Sequence, residues 1–133
     1  MRKEKSLSYH DKIVKKTADA LIKEGYQNVK ADIPGYKRPG KITRTVTQKG
    51  FKPDVTCRDE KEIIIEIETG DFVKAKHTTE QWPLFSLYCS ENNAEFLIIV
   101  SEGLKDKAEI KMKDLDIKGS IIELIFKNIN ENE

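Results

Sequence analysis

Three carboxylates stand out in this sequence by type and spacing. Asp54 follows Pro53 and opens the run Val55-Thr56-Cys57. Glu66 and Glu68 lie two residues apart in Glu62-Ile63-Ile64-Ile65-Glu66-Ile67-Glu68-Thr69. Side chains two apart on a strand share a face. If a short hairpin pairs the two segments, all three acids can converge at one end of a sheet. Such a cluster is costly by itself, because close like charges raise each other's pKa. A divalent cation removes that cost. Hard oxygen donors at this density suit Mg²⁺ or Mn²⁺ rather than zinc. A metal there could orient water, lower its pKa and stabilise negative charge on a phosphoryl group. Glu66 and Glu68 alone would read as the wet face of a half-covered sheet. Pro53-Asp54 on the preceding strand turns the balance towards a site.

The elements that must position these acids can be read from patterning. The sequence predicts a helix from about Ser8 to Glu24. Ser8 and Asp11 resemble a capping box, Ile13, Val14, Thr17, Ala18, Leu21 and Ile22 form a mainly apolar stripe, and Gly25 is a good stop. Val29 to Ile33 is expected as a strand, followed by the turn-rich stretch Pro34 to Gly40. Ile42, Arg44 and Val46 could continue a strand pair, and Phe51 to Cys57 reads as the next strand. A charged turn, Arg58 to Lys61, leads into the β-branched strand 62–69. On it Ile63, Ile65 and Ile67 point one way, and Ile64, Glu66 and Glu68 the other.

A helix then starts as early as Asp71, or more safely at Thr78 or Thr79, and runs to about Cys89. Trp82, Phe85 and Tyr88 give it an aromatic core face, and Pro83 must sit in its first turn or kink it. Phe96 to Val100 reads as an apolar strand, Leu104 to Leu115 as a helix and Ile121 to Phe126 as a last strand. The expected order is α-β-β-β-α-β-α-β, an α/β fold with helices on either side of a mixed sheet. Residues 1–127 are expected to form one domain, and 128–133 a polar tail.

Composition narrows the function classes without choosing one. The 133 residues are 35% charged and 38% hydrophobic, which suits an ordered, soluble chain. A net charge of +1 says nothing about nucleic acid, so only the distribution can. No apolar run approaches the roughly 20 residues of a membrane span. Charges at the start are not followed by an apolar segment, so no secretory signal is expected and the cytoplasm is the default location. Cys57 and Cys89 lack CxxC spacing and read as small buried hydrophobes.

Pro53-Asp54, a hairpin, Ile65-Glu66-Ile67-Glu68-Thr69, a helix and an apolar strand together resemble the PD-(D/E)XK, or restriction-endonuclease-like, nucleases. The resemblance covers most of the chain. It implies a restriction-endonuclease-like core and metal-dependent hydrolysis of DNA phosphodiesters. By that resemblance Asp54 and Glu66 bind Mg²⁺ or Mn²⁺, with the carbonyl of Ile67 a further ligand. The family's third position is usually a lysine that orients or activates water; here it is Glu68. Some members with glutamate there use an all-carboxylate site, and others have lost catalysis. Lys76 could supply a relocated lysine, with Lys74 and Gln81 as alternatives. His77 could shuttle a proton and Asp71 could reach a second metal, although surface or capping roles suit both better.

Between Asp32 and Asp54 there is no acidic residue. Lys37, Arg38, Lys41, Arg44, Lys49 and Lys52 are interleaved there with Tyr36 and Phe51, a pattern that could grip phosphates and stack on bases. An ordinary basic loop is the plain alternative. Lys105, Lys107, Lys111, Lys113 and Lys118 alternate with acids and read as a solvated face. Three functions remain open at this point. One is a structure-selective DNA nuclease, as a homodimer if both strands are cut together. Another is an inactive module that binds nucleic acid or a partner protein. The last is an α/β domain whose acids are dispersed.

Overall fold

The computed structural model describes residues 7–43, 49–70 and 76–124, and of Lys76 and His77 only the backbone. Within these residues three helices and seven strands follow one another as α1 (Tyr9–Lys23), β1 (Gln27–Ala31), β2 (Ile42–Thr43), β3 (Gly50–Phe51), β4 (Val55–Arg58), β5 (Glu62–Glu68), α2 (Lys76–Asn92), β6 (Glu95–Ser101), α3 (Lys105–Asp114) and β7 (Ser120–Leu124). β1, β4, β5, β6 and β7 lie side by side in that order in one mixed sheet. β4 runs antiparallel to both β1 and β5, while β6 and β7 run parallel to β5. The helices and the main-sheet strands thus follow the expected α-β-β-β-α-β-α-β order.

α1 forms where its signals predict. The Ser8 side chain accepts the amide of Asp11, which satisfies one of the free donors of the first turn. At the other end Gly25 takes φ +90°, and the amides of Gly25 and Tyr26 close back onto Ile22 and Leu21. That paired closure needs a left-handed residue, which glycine adopts without steric penalty.

Strand alternation divides the core between two faces. Ile65 and Ile67 pack with Ile13, Val14 and Ala18 of α1. Ile64 packs on the opposite face with Trp82 and Phe85 of α2 and Met112 of α3. Phe96, Ile98 and Val100 join that second layer, whereas Ile99 joins the α1 layer. Phe85 meets Phe96 edge-on, 6.1 Å between ring centres. Cys57 and Cys89 are both buried.

Several expectations need correction. The strand anticipated over 51–57 is broken at Pro53-Asp54, because proline has no N–H for a ladder. Its first part pairs as β3 with β2 in a separate ribbon, Ile42 opposite Phe51 and Thr43 opposite Gly50. The strand expected at 29–33 instead spans 27–31, with a register irregularity between Gln27 and Lys30. Pro83 lies well inside α2, not in its first turn. The ring forfeits one helical hydrogen bond. Burial of Trp82, Leu84 and Phe85 around it keeps the helix on the sheet. Arg44, Val46, Asp71, Phe72, Lys74, the side chains of Lys76 and His77, and the expected tail lie outside the described residues. Among the described residues no helix is long and apolar enough to cross a membrane.

Candidate functional site

The β4–β5 register brings the acids together. Val55 faces Ile65 and Thr56 faces Ile64, so the next step sets Asp54 against Glu66 where the ladder ends. The backbone fixes Asp54 from two sides. Its carbonyl accepts the amide of Asp32 at 2.9 Å, and its Oδ2 accepts the amide of Ile67 at 2.8 Å. His10, in the first turn of α1, brings Nε2 to 3.3 Å from the same Oδ2. Nδ1 of that ring lies 3.0 Å from Oδ1 of Asp11. These groups open into a cleft of about 360 Å³, whose walls also carry Asp32, Lys52, Glu68 and Gln81. A larger hollow of about 640 Å³ lies elsewhere, among Ser86, Phe96 and Lys118. Its walls hold a single carboxylate, Glu95, so it offers no comparable cluster.

Burial and proximity divide the charges unequally. Glu66 is buried at 3% exposure. Burial, the charge of Asp54, a hydrogen bond with Asp54 and the charge of Glu68 hold its pKa well above the usual carboxylate range. Burial pushes Asp54 the same way, but hydrogen bonds with His10 and Glu66, the imidazole charge and the amide of Ile67 outweigh it. Asp54 therefore lies below its usual range. The two shifts run in opposite directions, so of this hydrogen-bonded pair Glu66 is the acid that keeps its proton to higher pH. Glu68 is raised to about 7 by burial and by the charge of Asp54. His10, the indole of Trp82 and Lys111 pull it partly back. His10 is raised to about 9, chiefly by its hydrogen bond to Asp54 and against the cost of its own burial.

Of the residues singled out in the sequence, Asp54, Glu66, Ile67 and Glu68 meet at this cleft, and Lys52 and Gln81 reach its walls. Among the described residues no three His, Cys, Asp or Glu side chains form a ready ligand set. Lys37, Arg38, Lys41 and Lys49 are exposed. Arg38 is bound to Asp32 at 2.9 Å, and Lys49 lies 3.6 Å from Glu80. The interleaved aromatics are committed elsewhere. The Tyr36 hydroxyl bonds to Asp19 on α1, with Lys15 beside both, and Phe51 packs against the α2 layer.

Two residues were misjudged or passed over in the sequence. Lys111, expected on a solvated face, is buried at 6% exposure, and its Nζ donates to Oγ1 of Thr79 at 3.0 Å. α3 turns it inward against α2, where its charge reaches Glu68. His10 carried a signal that can be seen in retrospect. It lies three and four residues before Ile13 and Val14, and so on the buried stripe of α1. A polar residue at the end of such a stripe points at whatever the stripe covers.

No family model matches this chain, and neither does any curated protein or solved structure.

Proposed function

We propose that this chain is a metal-dependent nuclease with a restriction-endonuclease-like core that hydrolyses DNA phosphodiesters. The observation that carries the reading is the Asp54–Glu66 pair, two carboxyl groups held together at the end of β5 and open to a cleft. Its donors fit Mg²⁺ or Mn²⁺, since the candidate ligands offer only hard oxygen atoms. The hydrogen bond between Asp54 and Glu66 lies where a cation would relieve the same repulsion. Asp54, Glu66 and the carbonyl of Ile67 would hold the ion. When bound, it supplies water activation and charge stabilisation at phosphorus.

The chain's own residues do the rest. Glu68 shares the cleft wall with Asp54 and Glu66, and is placed to take a proton from water there, as a general base must. Lys52 on the cleft wall can hold a phosphate beside it. Lys37, Arg38, Lys41 and Lys49, with Arg44 in the same stretch of sequence, would position the backbone. Lys76 keeps its proposed catalytic role from the sequence pattern. Cutting both strands together calls for a homodimer, and such an enzyme would act in the cytoplasm on branched or duplex DNA.

The test is cleavage of duplex, flap and junction DNA in Mg²⁺. Wild type should cut at least one of these, and Asp54→Ala should lose cutting while keeping most of its affinity. Lys52→Ala should weaken binding across sequences and lower the salt slope by about one. A second reading, an inactive binding module, draws on Glu68 standing where the family motif has its lysine. In that case no substrate is cut, Asp54→Ala leaves affinity unchanged, and Arg38→Ala weakens binding.

A further inference from the structure

We propose that His10 is a positioning residue for the site, one that selects which oxygen of Asp54 faces the ligand. The inference rests on the nuclease reading for its consequence, but on the structure for its geometry. Two donors converge on a single oxygen: the Ile67 amide reaches Oδ2 at 2.8 Å and His10 Nε2 lies 3.3 Å from it. Oδ2 is thereby held by the protein, so a cation that takes the place of the hydrogen bond between Asp54 and Glu66 would meet Oδ1. His10 is itself oriented, because Nδ1 lies 3.0 Å from Asp11 Oδ1 and the Asp11 amide is fixed by the Ser8 cap. A cap, a carboxylate and an imidazole therefore transmit the position of α1 to the residue just before β4, 44 positions away. Hydrogen-bonded partners of this kind fix ligand orientation, and losing one typically weakens metal affinity or activity by about 10- to 100-fold.

The experiment compares Mn²⁺ affinity by calorimetry in wild type, His10→Ala and His10→Gln, alongside cleavage kinetics. His10→Ala should bind Mn²⁺ roughly 10- to 100-fold more weakly. Its kcat should fall while KM for DNA stays level. The glutamine amide can still donate to Asp54, so His10→Gln should recover most of the loss. Unchanged affinity in His10→Ala overturns the proposal. So does failure of His10→Gln to recover anything in a folded protein, which would make the ring itself the ligand. If wild type binds no Mn²⁺ even with an uncleavable DNA duplex present, the nuclease reading fails, and a stability cycle with Asp54→Ala decides the His10 contact separately. His10→Ala should then lower the unfolding midpoint in wild type and have little effect in the Asp54→Ala background. Equal losses in both backgrounds overturn the proposal.

Discussion

Glu66→Gln is expected to abolish Mg²⁺-dependent cleavage while making the metal-free protein more resistant to alkaline unfolding. Losing one preorganised charge-stabilising group costs rate by roughly a hundred- to a thousandfold. Glutamine also removes an anionic oxygen from the ligand set. Its effect on folding has the opposite sign. Buried Glu66 is held protonated by its surroundings, with a pKa well above the ordinary range. Rising pH must eventually ionise it beside Asp54, in a site with 3% exposure. Glutamine copies the protonated form and never acquires that charge. Wild type and variant should therefore unfold alike in acid and diverge as pH rises, with the variant more stable. Thermal melts from acid to alkaline pH, without metal, read the difference directly. A variant less stable than wild type at every pH would mean that Glu66 is not the protonated partner.

The metal-free protein should also lose stability as pH rises from the acid side, across a range where many proteins are near their maximum. Glu68 moves from 4.5 to about 7 on folding. A group whose pKa is raised by folding contributes stability that is complete below its unfolded value and lost as pH climbs through the folded one. For Glu68 that loss runs between pH 4.5 and about 7 and is on the order of 3 kcal/mol, at about 1.4 kcal/mol per unit. His10 moves from 6.5 to about 9, so its contribution disappears over that higher window. Its ring is 37% exposed, and solvent screening makes its share the smaller one. Asp54 is lowered, so its contribution is lost only in acid and does not offset either slope here. Urea unfolding at several pH values should give free energies that fall from mildly acidic to alkaline pH. A flat or rising profile over that range would contradict the assigned charges. Mn²⁺ should flatten the slope, because a cation replaces the proton that rising pH removes.

The sequence revealed most where local patterning and burial agree. The alternation of β5 correctly separates Ile63, Ile65 and Ile67 from Ile64, Glu66 and Glu68, because one register satisfies both faces. Trp82 and Phe85 are core, as helical spacing and aromatic size require. The Ser8 cap and the Gly25 stop lie where their backbone chemistry demands. The features that were not legible depend on contacts between distant elements. The weakly amphipathic helix α3 gives no local hint that Lys111 turns inward, since packing against α2 decides it. The bond from the Tyr36 hydroxyl to Asp19 likewise joins residues 17 apart in sequence. His10 joins the site only because α1 packs on the sheet face of Ile65 and Ile67, which brings it to Asp54, 44 residues away in sequence.

The most direct test of the central claim is a calorimetric titration of Mn²⁺ into wild type and Asp54→Ala, without nucleic acid and again with an uncleavable DNA duplex. A metal-dependent nuclease centred on Asp54 and Glu66 should bind Mn²⁺ in wild type and lose that binding in Asp54→Ala. Identical isotherms for the two proteins, or no binding by wild type even with DNA present, would contradict it.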